Sequence, residues 1–402
     1  MNAVRPKMDI ASLTEDERAR VLAKSALFNP PPYVLADGRR DLVGLSREEL
    51  ATEIAAIGEK PFRVKQLWHW IYHQGVTDFA AMSSIARPLQ QRLAERFVIG
   101  RPVATTIQTS VDETRKFLFR FRDGQAAETV YIPDQQQDRG AVCISSQVGC
   151  TLSCRFCHTG TQALVRNLGA AEIVGQFMAA RDSYGEWPSP QGETPRLLST
   201  IVLMGMGEPL YNYENVARAM RIVMDGEGIG LSRRRITLST SGVVPMMDRA
   251  GEELGINLAV SLHAVRDELR DELVPLNRKY PIAELLAACR RYPGATNARR
   301  ITFEYVMLRG VNDTEADARE LVRLIAGIPA KVNLIPFNPW PGSTFEPSSG
   351  NTLHRFARIV MEAGFASPIR TPRGQDILAA CGQLKTESQR IAGSRAERTA
   401  AQ

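Results

Sequence analysis

Four of the chain's six cysteines fall in one short window, "CISSQVGCTLSCRFC", residues 143 to 157. Cys150, Cys154 and Cys157 form a C-x3-C-x2-C trio, and Cys143 stands apart from it. Thiolates are soft ligands, and three from one loop suit a [4Fe–4S] cluster with one iron left open. Zinc usually closes a tetrahedron with two paired C-x2-C units, or with Cys and His together. A second pair is missing here: Cys289 sits alone on a helical pattern, and His158 follows Cys157 too closely to complete the set. The spacing favours the cluster and leaves zinc as the second reading.

Further chemistry-bearing residues recur in short polar stretches: "GMGEP" (205–209), "STSG" (239–242), "SLH" (261–263) and "FNP" (337–339). Glu208 offers a carboxylate to an α-amino group; Ser239, Ser261 and Asn338 offer neutral hydrogen bonds to a carboxylate or a ribose. "GMGEP" lacks the third glycine of a dinucleotide fingerprint, which argues against a Rossmann site. His263 alone reads as a packed or loop histidine, and its place beside Ser261 draws it toward the site.

The elements that must position these residues alternate between strand and helix from Val142 onward. Six strands are expected, at 142–147, 199–205, 235–241, 256–263, 300–308 and 331–337, separated by helical patterns such as "AAEIVGQFMAARD". That alternation predicts an α/β fold, an incomplete six-unit βα TIM-like barrel open on one side. In such barrels catalytic groups gather where the strands end. The trio follows the first strand, and the four polar stretches follow the second, third, fourth and sixth, so five stretches converge on one rim.

Ahead of the barrel, "LSREELATEIAAIGEKPFRVKQLWHWIYHQG" predicts a small helical module, with Ser46 as N-cap and Glu49 completing the box. Trp68, Trp70 and Tyr72 read as its core. In "KFLFRFRDGQAAETVYIP" apolar and polar residues alternate around an Asp-Gly turn, a β-hairpin whose second arm carries Glu128 as an exposed carboxylate. The expected organisation is an extension over 1–40, a helical module over 41–100 and a hairpin extension over 101–140. The barrel core covers 141–375, and a C-terminal segment with a disordered tail covers 376–402.

With 402 residues, 44% of them hydrophobic, the chain can bury a large core. Its net charge of +6 fits a polyanionic partner such as RNA without demanding one. Arg233, Arg234 and Arg235 run together, and Arg370 and Arg373 both fall in "RTPRG". No apolar run approaches bilayer length, and the N-terminus is too charged for a secretory signal, so a soluble cytoplasmic protein is expected. In that compartment clustered thiols are ligands or catalysts rather than structural disulfides.

The trio followed by "GEP" resembles the radical S-adenosylmethionine superfamily. With "ETVYIP", "CISSQVGC", "MGMGEPL", "LSRRRITLSTSGVVP", "SLHA", "NLIPFNP" and "RTPRGQDI", the chain from about 41 to 385 is similar to one of its families. These are the dual-specificity methyltransferases that act on carbon 2 of adenine in 23S rRNA, at the peptidyl transferase centre, and in tRNA beside the anticodon. The resemblance implies that Cys150, Cys154 and Cys157 ligate a [4Fe–4S] cluster. It implies that Gly207, Glu208, Ser239, Ser261, Leu262, His263 and Asn338 line the S-adenosylmethionine site. Cys381 would carry a methyl group from one S-adenosylmethionine, and a second, cleaved reductively, would activate it toward the base. Glu128 would be a general base, and Cys143 would release the product by attacking Cys381, leaving a disulfide that is later reduced.

Cys289 is assigned no role beyond the core. The implied partners are 23S rRNA and tRNA, held through the helical module, and an electron donor such as flavodoxin; a monomer is the default. The nearest rival is the sister family that methylates the same rRNA adenine at carbon 8. The long N-terminal module and the "GMGEPL…STSGVVP" context favour carbon 2. A zinc-dependent RNA-binding protein and a radical enzyme that does not methylate are more distant rivals.

Overall fold

In the helical module, the side chain of Ser46 accepts from the Glu49 N–H while Glu49 accepts from the Ser46 N–H, fixing the start of helix Arg47–Ala56. This is the capping box read from the sequence. The computed structural model describes residues 28, 30, 33–190 and 194–386. The expected extension over 1–40 and the expected disordered tail therefore fall mostly outside the described residues.

Strands β1 (Arg40–Asp41) and β2 (Phe97–Val98) pair in parallel and bracket the module. Trp68 and Tyr72 are buried in it, and Trp70 is half-buried, donating to Ser84. Arg47 bonds Asp225 and Glu49 bonds Arg218, so the module is tied to the body of the protein.

Next come three antiparallel strands, β3 (Val103–Thr109), β4 (Arg115–Arg120) and β5 (Ala126–Pro133). The extension is thus wider than the hairpin expected. β3 escaped sequence reading because its side chains are exposed along its whole length, which leaves no alternation to detect.

β6 (Gly140–Cys143) opens the parallel series. Short strands β7 (Gln147–Val148) and β8 (Arg166–Asn167) pair only with each other. The series continues with β9 (Leu198–Leu203), β10 (Ile236–Thr240), β11 (Asn257–Ser261), β12 (Ile301–Met307) and β13 (Ala330–Pro336). Their order in one sheet is β13-β12-β11-β10-β9-β6-β5-β4-β3. All six expected strands are present and parallel. The first is displaced: it ends at Cys143 rather than 147, because Gln147 and Val148 turn away to pair with β8.

Strands such as β12 are closed to solvent along their whole length because both faces are covered. The extension is also continuous with the barrel wall. Lys116 is opposite Val130, Val130 opposite Cys143, and Cys143 opposite Val202. Side chains directly opposite on paired strands share a face, so this row sets Lys116 on the same side as Cys143. Among the described residues no helix is long and apolar enough to cross a membrane.

Candidate active site

The five polar stretches do converge. Cys150, Cys154, Cys157, Gly207, Glu208, Ser239, Ser261, His263 and Asn338 line one cleft of about 250 Å³ at the C-terminal ends of the strands. Cys143 and Cys381 line it too. Leu262 and Glu128 are not lining residues; both are buried just behind the wall.

The loop carrying the trio is built from local bonds. Gln147 accepts from the Thr151 N–H and donates to Thr151 and Asn167. Cys157 N–H donates to the Cys154 carbonyl, and Gly160 N–H to the Cys157 carbonyl. Burial pushes the Cys150 thiol up to about 12 and raises Cys154 and Cys157 as well. Such thiols ionise only against a strong positive charge, and metal coordination supplies it. Among the described residues no three Cys, His, Asp or Glu side chains stand at single-ion spacing. His158 faces away from the trio, its ring stacked on Trp340 and bonded to the Gln383 carbonyl.

Gly207 follows β9 with φ +99°, and a Cβ there would stand 2.6 Å from Gln147 Cβ. Only glycine satisfies both demands. Glu208 N–H donates to Gln147 Oε1, joining this turn to the trio's loop. The Glu208 carboxylate accepts from the N–H groups of Leu210 and Ser241, 3.1 and 2.8 Å away. Its burial nevertheless pushes the carboxyl up to about 7. A buried carboxylate lacking a cation is suited to receive an ammonium group.

His263 adopts φ +61°, a left-handed conformation that is costly for a non-glycine residue. Its Nδ1 accepts from the Val306 N–H, which assigns the ring proton to Nε2. Burial lowers its pKa to about 3, so it is a neutral donor rather than an acid–base group. Arg270 is fully buried and donates to the carbonyls of Ser241, Ser261 and Leu262, tying the β10 and β11 rims together. Sequence reading missed it: a lone arginine inside "DELRDEL" reads as a solvated helix face. Leu262 is held by this contact and by its N–H to the Glu304 carbonyl. Glu304, also missed, lines the cleft from β12 and accepts from Asn333.

Cys143 is buried at the end of β6. Burial, with Cys381 adding in the same direction, raises its thiol to about 12. Cys381 opens onto the cleft, yet desolvation within it raises the thiol to about 12, with Glu304 and Cys157 adding and Arg370 opposing. All six cysteines are free. The disulfide expected between Cys143 and Cys381 as a turnover product is not present; the two thiols line the cleft from separate elements. Asn338, expected at the cofactor, donates to the Cys381 carbonyl and accepts from Gln375.

Glu128 overturns its expectation as an exposed strand carboxylate, being only 5% exposed. Lys116 stands 3.0 Å from one oxygen, and the other accepts from the Lys385 N–H at 2.8 Å. Burial raises its carboxyl above the usual range, and Lys116 pulls it back. Cys289 packs in the core, as read. Arg370 and Arg373 line the cleft, whereas Arg233–Arg235 lie at the opposite, N-terminal end of β10.

Two family descriptions match the chain: the ribosomal RNA large subunit methyltransferase N-terminal domain over residues 40–99, and the radical SAM superfamily over 144–322. The dual-specificity RNA methyltransferase RlmN of Gluconobacter oxydans is 79% identical, across 96% of each chain. That of Acidiphilium cryptum is 79% identical, across 96% of this chain and 99% of its own. A solved structure of a radical SAM methyltransferase from Sphaerobacter thermophilus is 46% identical and superposes with a TM-score of 0.79, covering 86% of this chain and 99% of its own. On this similarity the chain belongs to the dual-specificity RNA methyltransferases of the radical SAM superfamily.

Proposed function

We propose that the chain methylates carbon 2 of adenine in 23S rRNA and in tRNA. The observation that carries this reading is the meeting of two further thiols, Cys143 and Cys381, with the trio in one cleft. A ring carbon of adenine is electron-poor and cannot take a methyl group by simple displacement. When bound, a [4Fe–4S] cluster and S-adenosylmethionine supply a transferable methyl group and the radical that activates it. Cys150, Cys154 and Cys157 hold the cluster. Glu208 receives the cofactor's ammonium group, with Gly207, Ser239, Ser261, Leu262, His263 and Asn338 completing its site.

Cys381 would accept the methyl as a thiolate; once that methyl has given up a hydrogen atom to the radical, its carbon would bond to carbon 2 of the base, the surplus electron passing back to the cluster. Glu128 takes the proton from carbon 2. Cys143, as a thiolate, attacks the Cys381 sulfur; the sulfur–carbon bond breaks and its electron pair takes a proton to complete the methyl group. The sulfur–sulfur product belongs to turnover and is later reduced; an electron donor such as flavodoxin would supply the reductive cleavage. Residues 41–100 serve as the RNA anchor through backbone contacts, the 101–140 extension walls the cleft, 141–375 carry the barrel, and 376–402 bring Cys381. The RNA must present its adenine unpaired. A cytoplasmic monomer fits this role. Methylation at carbon 8 is disfavoured by the 79% identity to dual-specificity relatives.

Cys381→Ala tests the reading. The variant keeps the iron–sulfur absorbance of the parent and transfers no methyl to RNA; transfer at the parent rate would overturn it.

A further inference from the structure

The segment carrying Cys381 is gripped on both sides of that residue by one buried ion pair. Lys116 donates to the Leu378 carbonyl at 3.4 Å, and Glu128 accepts from the Lys385 N–H at 2.8 Å. The two charges meet 3.0 Å apart, with side-chain exposures of 11% and 7%. They reach each other across the sheet because Lys116 is opposite Val130, two residues from Glu128, so both side chains share one face.

Leu378 is a non-glycine residue in the left-handed region, φ +51°. Such a conformation persists only where surrounding contacts over-determine it, and its carbonyl is the one that Lys116 holds. A buried ion pair is a poor source of stability, because desolvating two charges cancels most of their attraction. An apolar pair would serve the sheet better, so the placement calls for a role in the chemistry.

We propose that Lys116 is a positioning residue: it seats Glu128 beside the Cys381 segment and holds that segment's upstream end in register with the base. This rests on the reading of Cys381 as methyl carrier and Glu128 as base. Removing the Lys116 ammonium leaves Glu128 buried without a counter-ion and releases Leu378. The base then fails and the segment loosens, while Cys381 itself, the trio and the cofactor residues are untouched.

The test uses Lys116→Met and Lys116→Arg with two measurements. In the chain without cofactors, amide exchange over residues 378–385 speeds up about tenfold in Lys116→Met and returns toward the parent rate in Lys116→Arg. In the reconstituted enzyme, peptide mass analysis still finds methyl on Cys381 of Lys116→Met. Release of methylated RNA falls about tenfold or more, and Lys116→Arg restores most of it. Unchanged exchange together with unchanged release in Lys116→Met would overturn the proposal, and so would equal losses of Cys381 methylation and RNA release. Should Lys116→Met not fold, exchange in Glu128→Gln decides the clasp: faster exchange at Lys385 supports it, and parent-like exchange overturns it. A parent enzyme that never methylates Cys381 would defeat the functional reading alone, because exchange tests the clasp without it.

Discussion

The loop of the cysteine trio and the segment of Cys381 meet in one cleft but are held by opposite means. The trio's loop is stabilised from within, by Gln147 on Thr151 and Asn167 and by successive turns through Cys154 and Cys157. The segment from 373 to 386 is held from without. Asp112 accepts from the Gly374 N–H, Ser110 donates to Asp376, Lys116 and Glu128 grip Leu378 and Lys385, and Thr159 donates to the Leu384 carbonyl. Every one of those partners lies far away in sequence. The ligand loop is built largely from local contacts, and the carrier segment is placed from a distance, by the barrel, its extension and the trio's own loop through Thr159 and His158.

The comparison breaks most sharply at a ligand. Cys154→Ser abolishes the iron–sulfur absorbance and lowers RNA methylation by more than about a hundredfold, while amide exchange over 373–386 stays at the parent rate. Loosening of that segment in the same variant would show the two devices to be one.

A smaller effect sharpens the cofactor side. Glu208 has its carboxyl raised by burial to about 7. An ammonium group binds the ionised form, so S-adenosylmethionine affinity falls about tenfold for each pH unit below that value. The free chain shows the reverse sign: a raised carboxyl favours the folded state at low pH, and that stability is lost as pH rises to about 7. Equilibrium binding between pH 5.5 and 8.5, in the parent and Glu208→Gln, reads the first, and denaturant unfolding of the same two chains reads the second. A flat profile in the parent would remove Glu208 from ammonium recognition.

The smallest effect falls on the outer grip. Asp112→Ala removes the acceptor of the Gly374 N–H, and exchange there rises about threefold, a modest change because the carboxylate is partly exposed and screened. Iron content does not change. A fall in iron content would again join the two devices.

The same division explains what was legible in the sequence. The trio's spacing and the strand-end stretches are local patterns, so the cluster loop and the barrel rim could be read directly. The first strand is shorter than expected because nothing local in "CISSQV" marks where Gln147 and Val148 leave the sheet to pair with β8. Glu128 reads as a solvent-facing carboxylate on a hairpin; the packing that buries it beside Lys116 comes from the chain's far end. Arg270 was hidden similarly, since its carbonyl partners lie on two different strand ends. Cys381 carries no local signal, and its role entered through family resemblance alone.

The most direct test is to reconstitute the cluster anaerobically, supply S-adenosylmethionine and a reductant, and map the methyl group on RNA that lacks the modification. The account predicts 2-methyladenine on both 23S rRNA and tRNA. Methylation at carbon 8, or RNA left unmethylated by an enzyme with its cluster intact, would contradict it.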